Sequence, residues 1–388
     1  MNLKSTFNKI DIFSPYLVLV GIALYLLLAL TAFNYQIQGL EPPSNNVYFY
    51  FLYGSLFYLL GILLPFIIYN GFKYRGFKEF LEKSKELTIK KYPGEKVLLL
   101  VVVIGLIFQF WNIYSSGGIP ILSGYLKASS VTRVWLLSYV LFLPGINMLL
   151  AIYPKKSYYL LLGLGIFLFA LTGYRTTPIV ILLSSFITLY YTRKFQATHI
   201  LLFAAFLLIS GLLVGYVAVQ AIEWQQWTLN PLELFFYRAG YTLSVFDQLL
   251  PLKGSTQGSV FYYTLTGYFQ AADPRALVGE VVLGYRHSTT STIFGPALLD
   301  YGNLALALQM FLLGGILKIM HTLQKYKKGI FTAFYGILMA QTLVWIETGP
   351  TDLVVWIFFL MALGLMIYLI FAYNRKDHFL EKTSGDNL

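Results

Sequence analysis

Three arginines that could bind phosphate lie in one long segment, and a fourth lies in a separate turn. Arg238, Arg275 and Arg286 fall between residues 222 and 303, the only long stretch between two hydrophobic runs that is not a short basic connector. A guanidinium presents a planar fork of donors that pairs with two phosphate oxygens, whereas a lysine ammonium acts as a point charge. With Arg175 added, we interpret these arginines as a binding set for a polyanion, most simply a diphosphate. The alternative is that they pair with nearby carboxylates or lipid headgroups.

Candidate acids and bases accompany the arginines. His287 lies in a dense polar run and could act as a general base, because an imidazole titrates near neutral pH; a surface or structural role is the alternative. Glu347 precedes the turn between the last two apolar runs, and Asp300 opens the eighth. Further carboxylates that could serve instead are Glu223, Asp247, Glu280 and Asp352.

The segment 222–303 is also crowded with Tyr, Phe and Trp. Aromatic faces stack on sugar rings, and Arg and carboxylates bond sugar hydroxyls, so this surface suits a carbohydrate. Tyr174 and Tyr285, each next to a candidate arginine, are predicted to contact the substrate. The alternative is that the rings belong to the aromatic belt at a membrane surface.

The elements that must position these residues are membrane helices. The chain has 388 residues, of which 57% are hydrophobic and 12% charged; a soluble protein carries about 25% charged residues. Apolar runs of about 20 residues recur and predict an all-α, polytopic membrane protein with about ten spans, within a range of 10–12. The ten predicted spans cover roughly residues 14–33, 47–70, 97–114, 134–153, 157–171, 177–191, 199–221, 304–320, 330–347 and 352–373.

The fifth and sixth spans are predicted from one apolar run, 157–191, which is too long for one span and short for two. The Gly/Thr/Pro-rich stretch Thr172–Pro178 interrupts it and signals a turn. Splitting the run there places the basic clusters that follow on the cytoplasmic side, as membrane topology requires. Arg175 then lies at the floor of a cavity facing away from the cytoplasm, where an arginine needs a ligand or a partner.

The same topology makes the chain a single integral membrane domain, 1–388, with 222–303 as an extracytoplasmic cap between the seventh and eighth spans. The first apolar run, from Tyr16 to Phe33, lacks a cleavage pattern and is read as a retained span. Seven basic residues fall outside, and five of them are arginines, a bias that topology does not require. These residues are Lys127, Arg133, Arg175, Arg238, Lys253, Arg275 and Arg286.

Several functional classes are not favoured. The chain has no cysteine, no paired metal-ligand spacing, no P-loop and no GxGxxG before a helix, so we predict no metal site and no cofactor. The net charge of +11 is explained by basic connectors between spans, so nucleic-acid binding is not expected. The halves show no internal repeat, which weakens a secondary-transporter reading.

Short motifs along most of the chain resemble the oligosaccharide repeat-unit polymerase family, of the O-antigen polymerase type. They are Gly117-Gly118-Ile119-Pro120, Gly173-Tyr174-Arg175, and Ser291-Thr292-Ile293-Phe294-Gly295 leading to Asp300-Tyr301-Gly302. The Arg-x10-Gly loop pattern of some members does not follow any of the outer arginines.

The resemblance implies a metal-independent glycosyltransferase of polysaccharide (lipopolysaccharide-type) biosynthesis in the inner (cytoplasmic) membrane, acting on the periplasmic or extracellular side. The donor would be a glycan on a polyprenyl (undecaprenyl-type) diphosphate, and the acceptor a lipid-linked repeat unit. A chain-length regulator and a flippase are candidate partners. Two alternatives stay open: a ligase that moves finished glycan to another acceptor, and a flippase or transporter of lipid-linked oligosaccharide.

Overall fold

A computed structural model describes residues 11–71, 94–153, 155–193, 197–220, 228–270 and 272–385. Within these ranges the chain forms helices joined by turns, with no strand, which confirms the predicted all-α class. The basic connector at 72–93 and the candidate Glu223 lie outside the described residues. The helices in chain order are α1 (Leu17–Asn34), α2 (Asn45–Gly71), α3 (Glu95–Ser115), α4 (Gly124–Ser129), α5 (Arg133–Ile152), α6 (Ser157–Ala170), α7 (Thr176–Thr192), α8 (Ala197–Gln220), α9 (Pro231–Leu249), α10 (Ser259–Gln270), α11 (Pro274–Leu283), α12 (Gly295–Lys327), α13 (Ile330–Thr348) and α14 (Leu353–Gly385).

Seven of these helices (α1, α2, α3, α5, α8, α12 and α13) are long and apolar enough to cross a membrane. Three shorter apolar helices accompany them: α6, α7 and the first part of α14, Leu353–Leu369. The protein is therefore a multi-pass membrane protein, since a bilayer core needs about 20 apolar residues per span. The ten helices fall where ten spans were predicted, and the count of ten crossings stays a prediction.

The predicted break between α6 and α7 is present. Gly173 has a φ of +76°, a left-handed conformation that favours glycine. The buried Thr172 hydroxyl donates to the Phe169 carbonyl, and the Ser130 hydroxyl donates to the Thr172 carbonyl. The turn is thus tied to the segment after α4, and it places Arg175 at the N-terminus of α7.

A second break lies inside α12. Tyr301 and Gly302 depart from helical geometry, and Gly302 has a φ of +69°. Residues 295–300 therefore form a separate turn of helix before the apolar length that begins near residue 303. This agrees with the span predicted from residue 304.

The core of the helix bundle is formed around α13, which packs against α7, α12 and α5 and is buried along most of its length. The pairs α3 with α5, α2 with α12, and α1 with α9 complete the bundle. Small residues allow the close contacts: a Cβ at Gly314 of α12 would lie 2.2 Å from the backbone oxygen of Tyr58 in α2. Close approach of this kind is typical of helix pairs in membranes.

Two polar clusters mark opposite ends of α13. At one end, Tyr335 donates to the backbone oxygen of Phe13, and Asp11 bonds Tyr191, His321 and Lys325 at 2.7 to 2.8 Å. Glu347 lies twelve residues beyond Tyr335, about 18 Å along the helix axis. We call the end that holds Glu347 the arginine end, because Arg175 and Arg238 meet there.

The contact between α2 and α12 yields a stability prediction. Replacing Gly314 with Ala should lower the free energy of unfolding by about 1–3 kcal/mol, because the added methyl meets backbone atoms that cannot rotate away. The measurement is thermal unfolding of the purified protein in detergent. Gly163→Ala is the matched control, since a Cβ there meets nothing within 4 Å; equal loss in both variants would contradict the assigned contact.

Candidate functional site

Glu347 joins two of the predicted arginines at the arginine end. Its Oε1 atom accepts from Arg175 Nη2 at 2.6 Å and from Arg238 Nε at 3.2 Å. The three residues come from α7, α9 and α13, which are far apart in sequence. The side chains are partly exposed, with 22% of Arg175, 44% of Arg238 and 28% of Glu347 accessible, so the pair of guanidiniums can reach a ligand.

Lys127 adds a third cation that was not among the predicted site residues. Its ammonium lies 5.8 Å from the centre of the Tyr174 ring, and its stem packs on Gly173. Burial, followed by the charges of Arg238 and Arg175, lowers the pKa of Lys127 to about 8. Lys127 therefore lies close enough to both arginines for their charges to disfavour its protonated form.

Lys127, Arg175 and Arg238 carry three positive charges against the single carboxylate of Glu347. Burial lowers the pKa of Arg238, and the charge of Arg175 lowers it further; a guanidinium nevertheless stays protonated. The cluster thus holds an excess of about two positive charges in a partly desolvated position. A group with two negative charges would balance it, and we call these four residues the cation cluster.

Arg275 belongs to a second, neighbouring centre. Its Nη2 atom contacts both carboxylate oxygens of Asp352, at 2.6 and 2.5 Å, and its Nε donates to the Thr351 hydroxyl at 3.0 Å. Asp273 caps α11 by accepting from the backbone N–H of Arg275 at 2.9 Å. The charge of Asp352, ahead of that of Asp273, raises the pKa of Arg275 against the opposing effect of burial. Here the carboxylates outnumber the cation.

A cavity of about 590 Å³ lies beside both centres. One wall is an aromatic ladder in which Trp135 stacks on Tyr139 at 5.5 Å and on Tyr268 at 6.5 Å. Its polar and charged lining includes Tyr174, Ser288, Arg275, Asp273, Thr351 and Asp352. Aromatic rings can stack on sugar faces, and hydroxyl and charged groups can bond sugar hydroxyls. The cavity lining therefore has the types of side chain that suit a carbohydrate.

Tyr174 connects the cavity to the cation cluster, since it lines the cavity and lies under the Lys127 ammonium. Burial raises its pKa, so the phenol stays protonated near neutral pH. On α13 the lining residue farthest from the arginine end is Gln341, which donates to the Tyr139 hydroxyl at 3.2 Å. Gln341 lies seven residues before Thr348, about 10 Å along α13. Along this helix the cavity therefore extends about 10 Å into the bundle from the arginine end.

The strip around His287 is separate from these centres. Tyr285, Arg286 and His287 are exposed, and the Tyr285 and His287 rings lie 6.1 Å apart. Within the described chain Arg286 has no ion pair. Only Ser288 of this strip lines the cavity, so the site roles predicted for Arg286, Tyr285 and His287 stay predictions.

Asp300, a predicted catalytic residue, lies at the start of α10 and α12. It is buried, and it accepts from the Thr256 hydroxyl at 2.6 Å and from the backbone N–H groups of Val260 and Phe261 at 2.9 and 2.8 Å. These bonds satisfy the free N–H groups at the start of α10, which favour a negative charge. The geometry thus favours a structural role, and the predicted catalytic role stays untested.

The sequence contained only weak signals for Lys127 and Asp352. Lys127 is one of seven basic residues that the predicted topology places on the extracytoplasmic side. Its ammonium lacks the planar fork of donors that makes an arginine a candidate phosphate ligand. From the sequence alone, Asp352 is one of four alternative carboxylates, with Glu223, Asp247 and Glu280. Among the described residues, no group of three His, Asp or Glu side chains could hold a metal ion; metal independence stays a prediction.

Comparison with known proteins agrees with the motifs. The family model described as "Putative O-antigen polymerase" matches residues 11–359. Two relatives come from Methanocaldococcus jannaschii. "Uncharacterized protein MJ0419" is 28% identical, across 86% of this chain and 91% of the relative, and "Uncharacterized protein MJ0420" is 24% identical, across 95% of each. No solved structure matches the chain significantly. Because the family match spans most of the 388 residues, the chain belongs to the O-antigen polymerase family.

Proposed function

We propose that this protein polymerises lipid-linked oligosaccharide repeat units. A glycan carried on a polyprenyl diphosphate is the donor, a lipid-linked repeat unit is the acceptor, and the diphosphate is the leaving group. The observation that carries the proposal is the cation cluster, with its excess of two positive charges, placed against an aromatic and hydroxyl-lined cavity.

The cation cluster suits the leaving diphosphate. Charge develops on the bridging oxygen as the glycosidic bond breaks, and preorganised cations in a water-poor site stabilise it strongly. Arg175 and Arg238 offer forked donors, and Lys127 adds a point charge. Glu347 bonds both guanidiniums and so fixes their positions relative to each other.

The cavity suits the sugar units. Tyr174 and Tyr268 supply ring faces and hydroxyls, and Arg275 with its carboxylates can bond further hydroxyls. Arg286, Tyr285 and His287 are exposed next to Ser288, where they can contact the more distant part of the growing glycan.

The position of the site at one end of the bundle supports a reaction on the external face of the cytoplasmic membrane. In this proposal the arginine end faces outward and the cluster of Asp11 and His321 faces the cytoplasm. The lipid-linked unit must cross the membrane before use, so a flippase supplies it, and a chain-length regulator is a second expected partner.

The alternatives differ in what they require. A flippase needs a polar path through the bilayer, whereas this cavity ends about 10 Å below the end of α13. A ligase shares the leaving group and differs only in the acceptor. The deciding experiment incubates the purified protein with a lipid-linked repeat unit and examines the product on a gel. A ladder of repeat units supports a polymerase, and transfer only to a different acceptor supports a ligase.

The arginine fork gives the first activity prediction. Arg175→Lys keeps the charge but removes one of the paired donors, so chain extension should fall about 10²- to 10³-fold, the usual cost of removing one transition-state donor. The measurement is the initial rate of ladder formation in detergent. The matched control is Arg193→Lys, because Arg193 is exposed at the opposite end of α7 and lies over the Tyr159 ring, away from the cavity lining. Full activity of Arg175→Lys would remove Arg175 from the site.

Lys127 gives a pH prediction. Burial and the charges of Arg238 and Arg175 lower the pKa of Lys127 to about 8, so the ammonium is mostly charged below pH 8 and loses its proton above it. Bound diphosphate favours the charged form, so affinity for a short polyprenyl diphosphate should be constant from pH 7 to 8 and then fall by up to about tenfold per unit.

The measurement is the Kd of that lipid diphosphate between pH 7 and 10, where its own phosphates are already ionised. Lys127→Met should bind more weakly at pH 7 and lose the decline above pH 8. Lys253→Met serves as the control, because Lys253 contacts the Tyr50 hydroxyl away from the cation cluster. An unchanged decline in Lys127→Met would show that another group causes it.

A further inference from the structure

We propose that Asp352 is the catalytic base that removes the proton from the acceptor sugar hydroxyl, and that Arg275 is its positioning residue. This assignment rests on the proposed function and extends it to the acceptor side of the reaction. It separates the site into two halves, with the cation cluster for the departing diphosphate and Asp352 for the incoming hydroxyl.

The location of Asp352 is the first support. It ends the turn between α13 and α14, directly before Leu353, and it lines the cavity. Its side chain is 36% exposed, more than that of Arg275 at 22%. A substrate in the cavity can therefore reach the carboxylate, whereas its arginine is more enclosed.

The contact with Arg275 orients the carboxylate and leaves it able to accept. A single nitrogen, Nη2, touches both oxygens, while Nε of the same guanidinium is used by Thr351. An ionised carboxylate has about four acceptor positions. Arg275 uses one on each oxygen, so positions remain for a sugar hydroxyl.

The other carboxylates near the site are less suited. Among the described residues that line the cavity, Asp273 is the second carboxylate, and it is engaged in capping α11 through the Arg275 N–H. Glu347 bridges two guanidiniums outside the cavity lining. Asp300 accepts three hydrogen bonds at the start of α10.

The tyrosines beside Asp352 favour its role. Burial raises the pKa of Tyr268, and the charge of Asp352 raises it further. Burial likewise raises the pKa of Tyr174, with a smaller contribution from Asp352. Both phenols therefore stay protonated near neutral pH, where they can donate hydrogen bonds to sugar oxygens and leave proton removal to the carboxylate.

The step balances without a further reactant. The O–H bond of the acceptor breaks and its proton passes to Asp352, while the oxygen forms a bond to the anomeric carbon of the donor. The bond from that carbon to the diphosphate oxygen breaks, and its electron pair leaves with the diphosphate at the cation cluster. Asp352 then releases the proton to water.

The test compares Asp352→Asn with Asp247→Asn in the full-length protein, using the lipid-linked repeat unit as donor and acceptor. Asp247 is the control because it accepts from Ser44 and does not line the cavity. Asp352→Asn should extend chains about 10²- to 10⁴-fold more slowly, the usual effect of losing a general base. Its Kd for a short polyprenyl diphosphate should stay within about twofold of the unaltered protein, because the cation cluster is intact. Asp247→Asn should retain most activity.

A second variant separates catalysis from structure. Azide attacks without needing a proton removed, so Asp352→Ala supplied with sodium azide should form glycosyl azide and release the lipid diphosphate, detected by mass spectrometry, while still failing to extend chains. A variant that binds the lipid diphosphate normally but forms neither product would overturn the base assignment, as would Asp352→Asn extending at more than a tenth of the normal rate. If the unaltered protein extends no lipid-linked unit, the proposed function itself fails, and this assignment with it.

Discussion

The arginine end depends on the carboxylate of Glu347, which holds Arg175 and Arg238 on a single oxygen atom. Two guanidiniums that share one oxygen lie only a few ångströms apart, and like charges at 4 Å repel by about 4 kcal/mol at the effective dielectric typical of a protein surface. One carboxylate lowers that repulsion but, with Lys127 added, leaves an excess of two positive charges. The cluster therefore combines a contact that holds it together with a net charge that a dianion would balance.

The short turn after Glu347 separates two acidic side chains, Glu347 and Asp352, so that each contacts different arginines. Gly349 has a φ of +74° and allows the chain to reverse between α13 and α14. Glu347 on one side of the turn faces the cation cluster, and Asp352 on the other side faces Arg275 and the cavity. A separation of five residues thus yields a cation-rich half and a carboxylate-rich half, as a transfer between a diphosphate donor and a hydroxyl acceptor requires.

The sequence suggests two alternative roles for the outer arginines, and the structure shows that the two roles do not exclude each other. The arginines were expected either to bind a polyanion or to pair with carboxylates. Arg175, Arg238 and Arg275 do pair with carboxylates, yet cations outnumber carboxylates in the cation cluster, so it keeps an excess of positive charge. Counting charges on a sequence could not reveal this, because the balance depends on which side chains meet in space.

The sequence by itself determined the helical class, the approximate positions of ten apolar helices and the break at Thr172–Pro178, because the bilayer imposes length, hydropathy and charge rules that are local along the chain. The family also followed from short linear motifs. Only the tertiary structure decided that Lys127 joins Arg175, that Asp300 caps α10, and that Asp352 lines the cavity. Those facts depend on contacts between residues far apart in the chain, such as Arg275 and Asp352, which are 77 positions apart, and the packing of helices creates them.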